Sequence, residues 1–373
     1  MVDIIEVRTD KEIRDFIEFP LKLYRGCPYF VPMLYREEKA LLSGERSNDT
    51  AETVFYLAQK DGKTVGRIQG ILHKQSNALK NEKRVRFTRF DAINDVTVAR
   101  ALFDAVEAWA KARGMMHLCG PLGYNDMDRE GLLVFGFEED CTYEEQYNYA
   151  YYPSLLDACG FEKEVDWLSF ELTAPERKND MLARVARRSL ELSHLHLAST
   201  SISKRAYIEK YADSFFDTVD ACYGDLYGAV PTTPKMRKDL LAKFTPFLNV
   251  SYTVLICDER ERVVGFGLAL PRLGDVLKRS GGRMTLATWL RLRRTVKRPK
   301  HLNLALMAVR PEYRNAGINA VIVQGVIDML TSAGVEKLET NMNLETNTKV
   351  MAQWKYLTAR QHKRRRAYIK EIR

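Results

Sequence analysis

The sequence predicts an α/β protein made of two tandem copies of one module, each a mixed, mostly antiparallel sheet flanked by helices. Three observations carry this reading. The chain has 373 residues, and domains usually run to about 100–200. The order helix, hairpin, strand, helix, strand, helix, strand occurs twice. The charge also changes sign: residues 1–174 hold 22 Lys+Arg against 30 Asp+Glu, and residues 175–373 hold 36 against 19. The halves therefore carry −8 and +17, and two domains with different partners are expected. The predicted domains are 1–174 and 175–373, with the boundary in the polar stretch Thr173–Asn179.

In the first half, Lys11–Tyr24 is helical. Val54–Gln59, the turn Asp61-Gly62-Lys63 and Thr64–Leu72 read as a hairpin. Arg84–Phe90 alternates as a strand. Val98–Arg113 places Leu102, Val106, Trp109 and Ala110 on one helical face and stops at Gly114. Met116–Pro121 is a short strand, Pro153–Ala158 a short helix, and Val165–Leu172 a closing strand.

In the second half, Lys204–Tyr223 and Pro234–Phe247 are helices. Tyr252–Cys257 and Val263–Leu270 form a hairpin. His301–Val309 has no ionised side chain at neutral pH and is therefore placed in the centre of a sheet. Ala320–Ala333 is a helix stopped at Gly334, Lys337–Asn343 a strand, Lys349–Leu357 a helix, and Arg364–Ile372 the last strand.

Composition removes several function classes. Hydrophobic residues make up 46% and charged residues 29%, as in ordinary globular proteins. No apolar run approaches the ~18 residues of a membrane span. The N-terminus lacks the pattern of a signal peptide, so a cytoplasmic location is expected. The six cysteines form no CxxC pair, and the six histidines have no metal-ligand spacing. GxSxG, HExxH and GxxxxGK[ST] are absent. The basic second half should attract a polyanion.

The motif that carries chemistry is Val309-Arg-Pro-Glu-Tyr-Arg-Asn-Ala-Gly-Ile-Asn-Ala320, between the charge-free strand and the next helix. A helix N-terminus offers unpaired N–H groups and partial positive charge. Gly317 lets a phosphate approach them, and Arg314 adds a charged fork. The plainer reading is a strand-to-helix turn with a surface arginine.

This stretch resembles the pyrophosphate loop of the GNAT superfamily of acyl-CoA N-acyltransferases, Arg/Gln-x-x-Gly-x-Gly/Ala. Arg314 and Gly317 match, while Asn319 replaces the final Gly/Ala. The resemblance implies two tandem GNAT-like domains, with acetyl-CoA or a longer acyl-CoA as donor and an amine as acceptor. It implies donor contacts at Met307, Val309, Arg314, Asn315, Ala316, Gly317, Ile318, Asn319 and Asn347. At the equivalent place the first half has Phe90-Asp-Ala-Ile-Asn-Asp-Val-Thr97, with two aspartates and neither Arg nor Gly. It resembles a module without CoA binding, which would complete the acceptor cleft or form a homodimer. The tandem arrangement is also similar to the Fem family, whose donor is aminoacyl-tRNA.

The resemblance breaks at the proton donor. Many GNAT enzymes place a tyrosine seven residues after an asparagine; here Asn347 is followed at that spacing by Trp354. Tyr356 is the nearest tyrosine, and Asn303 is the only polar side chain of Leu302–Val309. Asn343, expected to share a strand face with Asn341, completes the candidates. Catalysis by positioning alone, with water carrying protons, is chemically adequate for a thioester. The alternatives are a CoA-binding or membrane-associated regulatory protein without turnover, and a Fem-like transferase.

An insert at 271–300 holds ten Lys+Arg and one acidic residue. Within 283–298, Leu286, Trp289 and Leu290 share one side, so the segment suits either an anionic membrane or a lid packed on the other domain. The lid is the favoured expectation. Gln361–Tyr368 is basic, but few aromatics accompany it, and a charged strand is favoured over nucleic-acid binding. Asp126, Asp128 and Glu130 open like a calcium loop, yet the twelfth position is Phe137, so that reading is rejected. The crowded tyrosines Tyr143, Tyr147, Tyr149, Tyr151 and Tyr152 are expected to pack at the domain junction.

Overall fold

A computed structural model describes residues 1–44, 50–176, 180–332 and 334–372. The chain runs β1 (Asp3–Glu6), α1 (Asp10–Leu23), α2 (Tyr35–Leu42), β2 (Ala51–Lys60), β3 (Lys63–His73), α3 (Lys74–Lys80), β4 (Arg84–Ala92), α4 (Val96–Lys111), β5 (His117–Gly120), β6 (Leu132–Phe135), α5 (Tyr152–Ala158) and β7 (Glu162–Thr173). It continues with α6 (Asp180–Leu192), β8 (His196–Leu197), α7 (Lys204–Tyr223), α8 (Pro234–Phe244), β9 (Thr253–Cys257), β10 (Val263–Pro271), α9 (Gly274–Ser280), α10 (Leu286–Lys297), β11 (His301–Val309), α11 (Asn319–Thr331), β12 (Lys337–Thr340), β13 (Asn343–Leu344), α12 (Thr348–Met351) and β14 (Thr358–Glu371).

Two compact units result, and they are not contiguous in sequence. The first comprises Met1–Leu168, Leu273–Trp289 and His362–Arg373; the second comprises Ser169–Arg272 and Leu290–Gln361. This differs from a single cut at 174/175. The insert divides, its front part belonging to the first unit, and the C-terminal strand closes the first sheet. A local composition shift cannot reveal such exchanges, because strand pairing is set by distant residues. Of the boundary stretch, 177–179 lie outside the described residues, as does Ala333 at the expected end of α11.

In the first unit β1, β2, β3 and β4 are successive antiparallel neighbours, and β4 pairs parallel with β5. Tyr368–Glu371 of β14 pairs antiparallel with β5. α4 covers this sheet with Val98, Leu102, Phe103 and Val106, all fully buried. In the second unit β8, β9, β10 and β11 are antiparallel neighbours, and β11 pairs parallel with β12. β12 in turn pairs with Glu171–Leu172 of β7. α11 packs Val321, Ile322, Val323 and Val326 into that unit's core with Leu302, Leu304 and Leu338. In both, an antiparallel hairpin and third strand lead through a helix to a parallel fourth strand, which is the duplication read from the sequence. The charge-free strand β11 lies between β10 and β12.

Several local expectations differ from the structure. β12 stops at Thr340, so Asn341 and Asn343 do not alternate on it. Only Thr348–Met351 is α-helical, and Ala352–Tyr356 forms a 3-10 helix. The tyrosines pack inside the first unit: Tyr147 and Tyr149 lie against Tyr24, at 5.6 and 5.0 Å between ring centroids. The Tyr152 hydroxyl accepts from the Ala92 N–H at 3.0 Å.

Candidate functional site

The second unit's site grows from the way β11 outlasts its neighbour. β11 and β12 pair from His301↔Lys337 to Leu304↔Thr340 and no further. β11 continues to Val309 with β10 on its other side. Among the described residues, the edge from Ala305 onward therefore meets no strand on the β12 side. Backbone groups on a bare edge need other partners. Asn341 supplies two: its N–H donates to Leu304 O at 3.0 Å and its Nδ2 to Ala305 O at 3.0 Å. At Met307 the partner is Tyr223, the last residue of α7. The Met307 N–H donates to Tyr223 Oη at 3.2 Å, and that hydroxyl donates back to Met307 O at 3.0 Å.

Beyond Val309 the chain turns through a 3-10 segment, Pro311–Tyr313, into α11. Ile318 caps α11 with no side-chain hydrogen bond. Among the described residues, the N–H groups of Asn315, Gly317, Ile318 and Asn319 have no hydrogen-bond acceptor, whereas Arg314 and Ala316 donate to Pro311 O and Tyr313 O. Arg314 through Gly317 are exposed. Two guanidiniums flank the turn: Arg314 Nε donates to Val309 O at 3.4 Å, and Arg310 Nε to Thr218 Oγ1 at 3.1 Å. Gly317 sits at φ +75°, and a Cβ there would lie 2.4 Å from Ser189 Oγ of α6. Conformation and close approach both require glycine. Burial pushes the Cys222 thiol up despite Arg314 and Arg310 nearby, so it remains protonated.

The remaining sequence candidates fall elsewhere in the second unit. Asn303 is buried on β11 beside its register partner Glu339 on β12, which is also buried. Leu302, Leu304 and Leu338 face the core, so alternation turns Asn303 and Glu339 to the opposite face. Asn343 opens the two-residue strand β13 and donates back to Thr340 Oγ1 at 3.0 Å and Asn341 O at 2.8 Å, rather than continuing β12. Asn347 accepts from the Val350 N–H as the α12 cap. Trp354 is buried in the core, and its indole N–H has no hydrogen-bond partner among the described residues. Tyr356 is half-buried against the same core, with Lys355 Nζ 5.1 Å from its ring centroid.

Sequence reasoning passed over Tyr223, Glu339 and Arg310. The arginine stands in the motif itself. The tyrosine carries no local signal, because its role comes from an α7 end meeting a β11 edge far away in sequence. Glu339 carries no local signal either, because only the pairing of β12 with β11 sets it beside Asn303.

The first unit's equivalent turn is closed. Asp95 Oδ1 accepts from the Thr97 N–H at 2.8 Å, capping α4, and Oδ2 pairs with Lys60 Nζ at 2.5 Å. Asp91 Oδ2 accepts from Arg67 Nε at 2.8 Å.

No family model matches the sequence. Two bacterial proteins align along nearly the whole chain. Protein YghO of Escherichia coli (strain K12) is 24% identical over 368 residues, covering 97% of this chain and 93% of that protein. The bacterial ceramide synthase of Caulobacter vibrioides (strain NA1000 / CB15N) is 24% identical over 356 residues, covering 93% and 91%. Among solved structures, a tandem GNAT protein from the clavulanic acid biosynthesis pathway superposes with a TM-score of 0.57 at 10% identity, covering 100% of this chain and 99% of that one. The GCN5-related glucosamine N-acetyltransferase region of a fungal multi-domain GH3 β-N-acetylglucosaminidase gives 0.57 at 12% identity, covering 99% of this chain and 38% of that one. The chain has the tandem GNAT fold.

Proposed function

We propose that this protein is an N-acyltransferase whose second unit binds an acyl-CoA donor, with its diphosphate at Arg314–Asn319 and its pantetheine arm along the bare edge of β11. One observation carries the reading: four turn N–H groups without acceptors, beside two guanidiniums, at the end of a strand edge with no neighbouring strand. A diphosphate would be held by the turn amides and Arg314. The two amides of a pantetheine arm suit a strand edge, and at Met307 they would displace Tyr223. The reaction joins the acceptor amine nitrogen to the thioester carbonyl carbon and breaks its C–S bond. Sulfur leaves as a thiolate and takes up a proton, and Glu339 is the carboxylate we assign to accept the proton lost by the amine.

The acceptor class follows from the similarity to a ceramide synthase. A ceramide is an N-acylated long-chain amino alcohol. We therefore assign a long acyl chain as donor group and a lipid amine as acceptor. Location in the cytoplasm and a homodimer remain parts of the same proposal.

The test is calorimetry with acetyl-CoA, long-chain acyl-CoA and free CoA, on the wild type and on Arg314→Ala with Gly317→Val. Binding that the double variant loses supports the donor site, and release of free CoA with a lipid amine supports transfer. Binding without turnover on any amine would favour a regulatory CoA sensor. Lack of CoA binding together with salt-sensitive tRNA binding would favour a Fem-like donor.

A further inference from the structure

α10 presents its apolar residues outward. Thr288 and Leu292 are turned in, whereas Leu286, Trp289 and Leu290 are 75%, 47% and 53% exposed, and Met284 just before the helix is 47% exposed. On a helix, residues 286, 289, 290, 293, 294 and 297 recur at intervals of three and four and form one stripe. Its N-terminal part is Leu286, Trp289 and Leu290; its C-terminal part is Arg293, Arg294 and Lys297. From 283 to 298 there are six cationic residues and no acidic one.

This arrangement is held in place at its base. The Tyr35 N–H donates to Gly282 O at 3.0 Å, and the Arg283 guanidinium lies 4.6 Å from the Tyr35 ring centroid. Arg283 also pairs with Glu18 at 3.2 Å. Gly282, at φ +76°, passes so near Met33 that a Cβ would sit 1.9 Å from its carbonyl oxygen. The segment thus leaves this turn with its large apolar side chains half or more exposed. Leu273–Trp289 does belong with the first unit, as a lid packed on the other domain would, but Leu286, Trp289 and Leu290 are not buried.

We propose that this face of α10 docks on an anionic lipid bilayer. Leucine, tryptophan and methionine side chains suit the boundary between headgroups and acyl chains, where tryptophan concentrates. The cations beside them match the charge of an anionic leaflet. No helix among the described residues is long and apolar enough to cross a membrane, so the contact is peripheral. A second copy of the chain carries the same cations and no acidic residue in this segment, so it offers them no countercharge. The proposal is independent of the donor site.

Flotation with vesicles tests it, comparing phosphatidylglycerol-containing vesicles with pure phosphatidylcholine. The wild type should float with the first and not the second. Leu286→Glu with Leu290→Glu should remove flotation. Arg293→Gln with Arg294→Gln should weaken it by about 25-fold, or about fivefold for each charge lost. Trp289→Phe should remove the blue shift of tryptophan emission on vesicle addition. All these side chains are exposed, so the thermal midpoint should stay within about 2 °C of wild type. Lack of flotation with phosphatidylglycerol, or flotation unchanged by the leucine substitutions, overturns the proposal. So does a concentration-dependent oligomer that the leucine variant dissolves while vesicles bind nothing.

Discussion

The two units reach the same point in their topology and solve it in opposite ways. Each has a strand that leads through a turn into the helix crossing to its parallel neighbour. In the first unit that turn is short and self-satisfied: Asp95 caps α4 and pairs with Lys60. In the second unit Arg310–Ile318 makes a longer turn, leaves N–H groups without acceptors and adds arginines. One helix N-terminus is satisfied by its own chain, and the other is where we propose that the donor diphosphate binds. A duplicated fold therefore does not duplicate a site; the capping residue decides.

Several charges of the first unit pair in its interior. Burial pushes the Glu38 carboxyl up, but Arg89 and Arg67 outweigh it and hold it at about 2. Arg89 meets Glu38 at 2.7 Å. The sharpest test of the contrast removes that partner. Glu38→Gln should cost about 2–4 kcal/mol, because it leaves the half-buried Arg89 guanidinium without its carboxylate. Chemical denaturation would show this, while CoA affinity should not move. Since the folded value lies below the unfolded one, Glu38 stabilises fully above about pH 4.3, and that stability is lost as pH falls toward 2. An acid limb between those values that persists unchanged in Glu38→Gln would count against the assignment.

Next in size is the second turn. Arg314→Ala with Gly317→Val should weaken CoA binding at least about 100-fold, from a lost charge-assisted contact and a misdirected loop. Asp95→Ala, the mirror experiment, should cost about 1 kcal/mol through a lost cap and leave CoA binding intact. If Asp95→Ala instead created CoA binding in an Arg314→Ala background, capping alone would separate the two modules. The smallest effect belongs to Tyr223→Phe. It frees both backbone groups of Met307, so donor affinity should rise about fivefold by calorimetry. Unchanged affinity would place the pantetheine elsewhere.

Much of this was legible in the sequence. Period-2 and period-3.6 patterns located the longer strands and most of the long helices, and missed the short strands β1, β6 and β13. β11 and α7 have the bounds expected, because a charge-free run and a long periodic face admit few alternatives. α6 went unread, although Leu182, Ala186 and Ser189 recur at helical spacing. Arg314 and Gly317 were visible because this motif is local, its charge, glycine and helix start lying within a few residues. Asn343 lies in β13 rather than on β12, and Tyr356 in a 3-10 segment rather than an α-helix, because the regular elements expected there end earlier.

The sequence by itself determined the duplicated α/β order, the charge contrast between the halves and the composition of both turns. Tertiary structure decided that β11 outruns β12, that Tyr223 reaches Met307, and that Asn303 lies beside Glu339. It also decided that α10 turns its leucines to solvent and that residues 273–289 and the C-terminal strand belong with the first unit. The division has a physical cause. Propensity, capping and periodicity act over one turn or a few residues, and a reader of the chain sees them directly. Register, edge exposure and burial depend on which distant segment packs alongside, and only the folded chain fixes that choice.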